Sequence, residues 1–318
     1  MITVLAGGVG GSKFIRGLAN HTPPSAIVAV INVGDDEEFY GLHVSPDLDT
    51  VTYALAGLGN DTAGWGIKDE TFNALSMVKT LGDPGWFTLG DKDLGTHLYR
   101  TRRLKEGASL STVTREITDA HQVSVKIVPF TDDPVRTKII GRLRSNSNTP
   151  AEHDQPQLFS FQEYFVKHHH HVEISSIYYE GADTASLNAE VVSALLTCEK
   201  IFIAPSNPLL SVGPMLAVDR FKELLKKRRE STIAVSPIVA GAAIKGPLTD
   251  ILNDLYGEAS ALSVARYYQP YVGTFVVDSQ DSFFVKGIRD LNMNCVAVDT
   301  LMFDKEAETK LAGAIFEL

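Results

Sequence analysis

Short runs of apolar and β-branched residues recur along the chain, and most of them end in a loop rich in glycine, proline, serine, asparagine or aspartate. The first run is Ile2–Leu5, which leads into a glycine-rich stretch, and the later runs are AIVAVI, KIFIA, TIAV, TFVV and CVAV. Nearly continuous apolar strands are typical of a parallel sheet covered on both faces. Helical patterns lie between several of them. The chain is therefore predicted to be an α/β protein with a Rossmann-like, doubly wound, mainly parallel sheet, whose ligands bind beyond the carboxyl ends of the strands.

Two stretches depart from this rhythm. The stretch from Asp49 to about Gln122 has mostly helical patterning, whereas the stretch from Thr137 to about Tyr179 is typical of short strands joined by polar turns. We therefore predict a nucleotide- or phosphate-binding core made of residues 1–48 and 172–318. Residues 49–171 are predicted to form a mostly helical insertion that carries a small β-rich excursion. Within the excursion, Asn146–Gln157 is predicted to be a mobile loop.

Composition narrows the function classes. The 318 residues carry a formal net charge of −10, which argues against a nucleic-acid partner but leaves an anionic small-molecule substrate open. No apolar run approaches the length of a membrane span, so no membrane partner is expected. Cys198 and Cys295 are far apart in sequence and are predicted to be buried, reduced thiols. These features predict a cytoplasmic protein.

The glycine-rich stretch GGVGGSKF lies between the first predicted strand and a predicted helix. It lacks the Gly-Lys-Ser/Thr of a P-loop, and Lys13 stands where the third glycine of a dinucleotide fingerprint belongs, which counts against a nicotinamide-dependent oxidoreductase. One interpretation is a tight strand–helix turn. The other is a phosphate site, in which the N–H groups of Gly10, Gly11 and Ser12 face an anion and Lys13 adds a positive charge.

Acidic residues are dense in the stretch NVGDDEEFYGLHVSPDLDTV, which contains Asp35, Asp36, Asp47 and Asp49. Four carboxylates near one strand end suggest a hard cation such as Mg²⁺, which binds carboxylates together with water and substrate phosphate. The alternative is that these residues form turns and cap the next helix. A further polar cluster, LGDKDLGTHLYRT, is predicted to be a ligand-facing turn between helices, against the alternative of solvated ion pairs.

Several motifs together resemble one family. They are GGVGGSKF, NVGDDEEFYGLHVSPDLDTV, GWGIKDETF, LGDKDLGTHLYR, FTDDPVRT, APSNPLLSVGPML, SPIVAGAAIKGP and DTLM. In order and spacing they resemble the 2-phospho-L-lactate transferases of coenzyme F-420 biosynthesis. That resemblance implies transfer of a 2-phospho-L-lactyl group, or a related three-carbon acid phosphate, from a guanosine diphosphate-linked donor to the terminal hydroxyl of the deazaflavin FO. It implies GMP as the leaving group and Mg²⁺ as the cofactor.

The resemblance also implies roles for particular residues. Asp35 and Asp49 are the expected catalytic and metal-binding residues, and Asp49 is expected to contact FO or to accept the hydroxyl proton. Lys92 is expected to contact FO or a phosphate. The expected donor-binding residues come from two strand-end loops: Gly10, Gly11, Ser12 and Lys13 in the first, and Ser206, Asn207 and Ser211 in the second. Trp65 is considered either a stacking surface for FO or a core residue. A homodimer is also expected.

A non-enzymatic alternative remains open. Proteins of the gluconeogenesis-factor type resemble this chain distantly and imply a regulatory protein that binds a nucleotide sugar or dinucleotide. The pairing of SPDLDTV with GDKD favours the transferase. No motif identifies which three-carbon acid the donor carries, whether lactyl, enolpyruvyl or glyceryl.

Overall fold

The computed structural model describes residues 1–60, 64–144, 155–244 and 246–318. Within these ranges the strands are β1 (Ile2–Ala6), β2 (Ile27–Ile31), β3 (Glu37–Phe39), β4 (Leu42–Val44), β5 (Lys126–Pro129), β6 (Arg136–Leu143), β7 (Gln157–Ser160), β8 (Val172–Glu180), β9 (Lys200–Ile203), β10 (Thr232–Val235), β11 (Ile238–Val239), β12 (Ala242–Ala243), β13 (Thr274–Asp278) and β14 (Asn294–Val298). The helices are α1 (Gly8–Leu18), α2 (Pro46–Leu55), α3 (Asn73–Thr80), α4 (Asp91–Lys105), α5 (Leu110–Ala120), α6 (Ala189–Thr197), α7 (Gly213–Ala217), α8 (Asp219–Lys227), α9 (Leu248–Tyr256), α10 (Ala261–Tyr268), α11 (Val285–Arg289) and α12 (Lys305–Phe316).

Seven parallel strands form the central sheet, in the order β14-β13-β10-β9-β1-β2-β5. Every residue of β1, β2 and β10 is buried, as expected of strands covered by helices on both faces. Helix α1 packs against α2 and α12 on one of these faces. The predicted Rossmann-like parallel sheet is confirmed.

The strand order reverses beside β1. From β1 the chain adds β2 and β5 on one side, and it later adds β9, β10, β13 and β14 on the other. In such sheets the two loops that leave the strands at the reversal diverge, and ligands bind in the crevice between them. Here these are the loop from β1 to α1 and the loop that follows β9.

The remaining elements flank this sheet. Strands β6, β7 and β8 form a separate antiparallel sheet in the order β7-β6-β8, as predicted for the β-rich excursion. The central sheet takes β5 from within the range 49–171 that was assigned to the insertion. The predicted mobile loop Asn146–Gln157 falls mostly in residues 145–154, outside the described residues.

The structure also bears on the two cysteines and on membrane-spanning helices. Cys198 and Cys295 are both free and buried, as expected. No helix in the described ranges is long and apolar enough to cross a membrane.

Candidate active site

The glycine loop lies against the loop that follows β9 and against the start of α2. A Cβ atom on Gly7 would lie 2.4 Å from Asp47 Oδ2 and 2.8 Å from Ser211 Cβ. A Cβ atom on Gly10 would lie 2.3 Å from the carbonyl oxygen of Pro205. Any side chain at either glycine would therefore push these segments apart. The two glycines thus allow the start of α1, the start of α2 and the segment after β9 to meet at the sheet reversal.

The residues after Gly10 are engaged within the protein. A Cβ atom on Gly11 would lie 2.7 Å from Ala6 Cβ, so glycine lets α1 pack closely on β1. Ser12 Oγ donates a hydrogen bond of 2.9 Å to the carbonyl oxygen three residues earlier. Lys13 Nζ donates to the carbonyl oxygen of Met302, at 2.7 Å. Close packing thus accounts for Gly10 and Gly11 on its own, and the phosphate-binding role of the loop stays a prediction.

Three carboxylates are buried together beside the glycine loop. They belong to Asp35, Asp36 and Asp47, the first two just after β2 and the third in the first turn of α2. Asn32 Nδ2 donates to Asp47 Oδ2 at 2.9 Å and lies 3.4 Å from Asp35 Oδ1. The structure thus places Asp35 in an acidic cluster at the switch point, which we call the Asp35 cluster and define as Asp35, Asp36 and Asp47.

Asp36 is only partly satisfied. Its Oδ2 accepts hydrogen bonds of 2.9 Å from Ser45 Oγ and from His43 Nε2. Its Oδ1 is buried and has no hydrogen-bond partner within the described residues. An unpartnered buried carboxylate oxygen is unfavourable unless a ligand or ion satisfies it.

The electrostatics of the Asp35 cluster also favour a bound ligand or ion. Burial raises the pKa of Asp35 well above its usual value, and the charges of Asp47 and Asp36 raise it further, while Arg136 opposes them. Burial raises the pKa of Asp47 to about 7, although hydrogen bonds from Asn32 and Gly8 favour its charged form. Carboxylate oxygens are among the ligands that Mg²⁺ prefers. The donor set of the Asp35 cluster therefore fits a hard divalent cation.

Asp49 is also buried but belongs to a different group. One of its oxygens accepts a hydrogen bond of 3.0 Å from Arg100 Nη1, and the other accepts one from Arg100 Nη2. Burial alone would lower the pKa of Arg100, but the charge and hydrogen bonds of Asp49 raise it instead, and the charge of Asp36 adds to this. Arg100 therefore pairs with Asp49 and also feels the charge of Asp36.

A buried polar network continues from Asp49. His97 Nδ1 lies 3.7 Å from Asp49 Oδ2, and His97 Nε2 lies 3.3 Å from Asp93 Oδ1. Asp93 Oδ1 also accepts a 2.7 Å hydrogen bond from the hydroxyl of Tyr53. Ligand atoms of Asp49, Asp93 and His97 all lie within 4.8 Å of one another. The guanidinium of Arg100 already binds both oxygens of Asp49, and its positive charge would repel a metal cation at this position. We therefore assign no metal to the group of Asp49, Asp93 and His97.

The role of His97 and Arg100 was not resolved from the sequence, although both lie in the motif LGDKDLGTHLYRT. Asp93, His97 and Arg100 are spaced i, i+4 and i+7, which places them on one face of a helix. That spacing is the signal that could have identified them.

The turn predicted at LGDKD is wrong, because these residues begin a helix, whereas the predicted ligand-facing role of the motif stays a prediction. Gly90 is the N-cap of α4, and Asp91 to Asp93 form the first turn. The Asp91 carboxylate accepts hydrogen bonds from the backbone N–H groups of Asn73 and Ala74, at 2.9 and 3.0 Å, and so caps the start of α3. Acidic side chains at helix N-termini are stabilising, which explains the charges in this motif.

The segment before α3 also binds the first turn of α4. The Glu70 carboxylate accepts hydrogen bonds from the backbone N–H groups of Lys92 and Asp93, at 2.9 and 3.1 Å. Lys92 Nζ donates to the carbonyl oxygens of Lys68 and Asp69, at 3.0 and 2.6 Å. The motifs GWGIKDETF and LGDKD thus form one unit, in which the Lys92 ammonium holds the segment that follows Trp65.

The loop after β9 supplies the other predicted donor-binding residues. Asn207 Oδ1 accepts hydrogen bonds from the N–H groups of Leu209 and Leu210, at 3.0 and 3.1 Å, and caps the short helical turn that follows. Ser206 Oγ donates to the carbonyl oxygen two residues earlier, at 3.3 Å. Ser211 packs against Gly7, as described above. The structure therefore brings Ser211 next to the glycine loop, across the reversal of strand order.

The fold and the site define an α/β protein of the Rossmann-like class with a cluster of buried carboxylates at its switch point. Residues 2–313 match the family model of 2-phospho-L-lactate transferase CofD, and the chain belongs to that family. The family resemblance expected from the motifs is thereby confirmed. The chain is accordingly a transferase, which disfavours the regulatory alternative.

Individual relatives of the chain are also named as transferases. The chain is 37% identical over 319 residues to a protein named phosphoenolpyruvate transferase from Streptomyces griseus subsp. griseus, covering 100% of this chain and 98% of the relative. It is 38% identical over 320 residues to a protein of the same name from Kitasatospora aureofaciens, covering 100% and 97%. Among solved structures, protein BH3568 from Bacillus halodurans superposes with a TM-score of 0.61 at 16% identity, over 99% of this chain and 98% of that one. At that identity the likeness shows the fold alone.

Proposed function

We propose that this chain transfers a three-carbon acid phosphate from a guanosine diphosphate-linked donor to the terminal hydroxyl of FO, with release of GMP, in coenzyme F-420 biosynthesis. The family match supports this reaction. The relatives named phosphoenolpyruvate transferase support an enolpyruvyl group as the first candidate for the donor acid. The observation that carries the proposal is the Asp35 cluster, whose buried carboxylates lie beside the glycine-rich segment at the switch point of the sheet.

The proposed reaction is a phosphoryl transfer. The FO hydroxyl oxygen forms a bond to the phosphorus that carries the three-carbon acid, and the bond from that phosphorus to the oxygen of GMP breaks. The hydroxyl proton passes to a base, for which Asp49 is the proposed residue. Such transfers depend mostly on alignment and on neutralising oxygen charge. Arg100 would hold the Asp49 carboxylate in one orientation through its two hydrogen bonds.

We assign the Mg²⁺ site to Asp35, with Asp36 and Asp47 as its neighbours. When bound there, Mg²⁺ supplies neutralisation of the diphosphate oxygens. Asp49 was also predicted as a metal ligand, but since Arg100 engages both of its oxygens, we favour the FO side for it. The donor phosphates are assigned to the space between Gly10 to Lys13, in the first two turns of α1, and Ser206, Asn207 and Ser211, which follow β9. Lys92 is assigned to the FO side, where its ammonium holds the segment after Trp65.

The test is incubation of the protein with FO, Mg²⁺ and one guanosine diphosphate-linked acid at a time, followed by mass analysis of the deazaflavin product. The enolpyruvyl donor is expected to give the fastest product formation, with GMP released in equal amount. Omitting Mg²⁺ and adding a chelator is the control and should stop the reaction. If none of the lactyl, enolpyruvyl and glyceryl donors yields a phosphodiester of FO, the proposal is wrong.

Raising the pH should destabilise the metal-free chain and increase its stabilisation by Mg²⁺. An unfolded aspartate titrates near pH ~4, whereas burial raises the pKa of Asp47 to about 7 and also raises that of Asp35. Between these values the folded chain holds protons that the unfolded chain has lost, so stability falls as the pH rises through that window. Mg²⁺ binds the deprotonated carboxylates and should restore more stability above the window than within it.

Thermal denaturation at about pH 6 and about pH 8, with a chelator or with excess Mg²⁺, measures this effect. Asp47→Asn is the matched variant, because it removes one of the titrating groups and should flatten the pH dependence. An Mg²⁺-induced shift of the melting temperature that is the same at both pH values would contradict the metal assignment.

A further inference from the structure

Arg136 is the first residue of β6, and its side chain is anchored beside the segment that carries Asp35. Its Nη1 donates to the carbonyl oxygens of Val135, at 2.8 Å, and of Val33, at 3.4 Å. Burial raises the pKa of Asp35, and the positive charge of Arg136 opposes that rise. The guanidinium therefore lies close to the Asp35 cluster, beyond the carboxyl end of β2.

The small antiparallel sheet fixes this arrangement through the backbone. The N–H of Thr137 donates to the carbonyl oxygen of Gly34, at 2.7 Å, and Gln162 Nε2 donates to that of Asp35, at 2.9 Å. Together with the bond from Arg136, three consecutive carbonyl groups after β2 thus accept hydrogen bonds from this sheet and the residues next to it. A binding group held in place before its ligand arrives loses less entropy on binding.

The guanidinium of Arg136 keeps donors that the fold does not use. Both acceptors named above bind Nη1, which leaves the N–H groups of Nε and Nη2. Within residues 1–60, 64–144, 155–244 and 246–318, neither nitrogen has an acceptor and no carboxylate forms an ion pair with Arg136. Glu180 lies opposite Arg136 on β8, but it pairs with Lys138, at 3.5 Å. In that part of the chain Arg136 is thus a half-buried cation without an anionic partner.

Three other cations of the site differ from Arg136. Arg100 is already neutralised by Asp49. Lys13 and Lys92 each donate to backbone carbonyl oxygens in other segments. Arg136 instead lies beside the Asp35 cluster with part of a planar fork of donors free, and that fork matches the geometry of a carboxylate.

The proposed donor carries a carboxylate near the reacting phosphorus. The lactyl, enolpyruvyl and glyceryl groups differ in other respects, but each is a three-carbon acid. If Mg²⁺ at Asp35 binds the diphosphate oxygens, the acid joined to that diphosphate comes close to the same cluster. The carboxylates of the Asp35 cluster repel a further anion unless a cation lies nearby. The donor therefore needs a cation at this point, and Arg136 is placed to supply it.

We propose that Arg136 binds the carboxylate of the three-carbon acid through its Nε and Nη2 donors. This assignment rests on the proposed function for the identity of the donor. Because the carboxylate is common to all three acids, Arg136 selects an acid donor over a neutral one and does not choose among the acids. The diphosphate is the other anion of the donor, so the test has to separate the two.

The test compares two donors on two chains. One donor is the guanosine diphosphate-linked acid that the wild type transfers fastest, and the other is its analogue with a neutral carboxamide in place of the carboxylate. The wild type is expected to show a KM for the carboxamide donor that is higher by about tenfold or more, because a charged hydrogen-bonded pair is lost. Its kcat should stay nearly the same, since the carboxylate takes no part in the bonds that form and break. Arg136→Met should raise the KM for the acid donor to a similar extent and no longer distinguish the two donors.

GDP affinity, measured by calorimetry, separates the carboxylate from the diphosphate because GDP lacks the acid. It should be the same in the wild type, Arg136→Met and Arg136→Lys. Arg136→Lys keeps the charge without the fork and should recover part of the preference for the acid donor. Arg266→Met is the matched control, since Arg266 pairs with Glu258, at 3.2 Å, and the variant removes the same charge elsewhere. It should leave both KM values unchanged.

Three results overturn the assignment while leaving the transferase proposal standing. They are equal KM values for the two donors in the wild type, a preference for the acid donor that survives in Arg136→Met, and weaker GDP binding in Arg136→Met at an unchanged melting temperature. Should Arg136→Met fail to fold, the wild-type comparison and Arg136→Lys decide. A wild-type chain that transfers no acid donor overturns both proposals.

Discussion

Replacement of Asp35 by asparagine should lower the transfer rate by about 100-fold or more and also stabilise the metal-free protein. The rate should fall because metal neutralisation of phosphate oxygens is worth several kcal/mol in such reactions. Stability should rise by about 1 kcal/mol, since the substitution removes a buried carboxyl whose ionisation burial and two like charges oppose. A buried charge that lowers the stability of the protein is expected to be retained where activity requires it.

The measurement is single-turnover transfer at saturating Mg²⁺ and substrates, with thermal denaturation in a chelator. Asp254→Asn is the control, because Asp254 is a structural acid that accepts two hydrogen bonds from Arg144, at 2.8 and 2.7 Å. It should lose stability and keep its rate, which is the reverse of Asp35→Asn. Transfer by Asp35→Asn within a few-fold of the wild type would show that Asp35 does not hold the metal.

The fold could be predicted largely from the sequence because buried parallel strands leave a strong signal. Six of the seven strands of the central sheet correspond to apolar runs followed by turn residues. The exception is β5, Lys126–Pro129, a four-residue edge strand that begins with an exposed lysine and ends in proline. A run so short carries little periodicity, so its place in the sheet follows from tertiary pairing with β2.

One helix differs from its pattern. The stretch PMLAVDRFKELLKKR has helical patterning throughout, and the structure forms α7 and α8 there with a break at Val218, whose φ and ψ are −81° and 112°. Aspartate at the first position of α8 favours a new helix start there. The apolar pattern continues across the break and therefore hides it.

The site could be predicted only in part. The density of aspartates after β2 located the Asp35 cluster, because local sequence alone brings Asp35 and Asp36 to a strand end. The pairing of Asp49 with Arg100 joins residues 51 positions apart and depends on how α2 and α4 pack. No local pattern encodes that contact. The turn predicted at LGDKDLG is wrong because its two glycines are typical of a loop, whereas Gly90 is an N-cap and Gly95 lies inside α4.

The pairing of Asp49 with Arg100 leads to the second prediction, a double-mutant cycle. Arg100→Met should destabilise the fold by about 3–5 kcal/mol, because it leaves a buried carboxylate without its partner. Asp49→Asn should also destabilise, although by less, since the charge of Asp36 still compensates part of the Arg100 charge. The double variant Asp49→Asn/Arg100→Met should recover most of this loss, because neither buried charge then remains.

Activity separates the structural role of the pair from its chemical role. If Asp49 accepts the FO proton, the double variant should stay at least about 100-fold slower than the wild type even after its stability recovers. Urea denaturation gives the four stabilities, and single-turnover transfer gives the four rates at a temperature where all four chains are folded. A double variant that regains both stability and rate would mean that Asp49 serves only to neutralise Arg100. In that case the proton acceptor would have to be sought farther along the same network, where Asp93 and His97 line up behind Asp49.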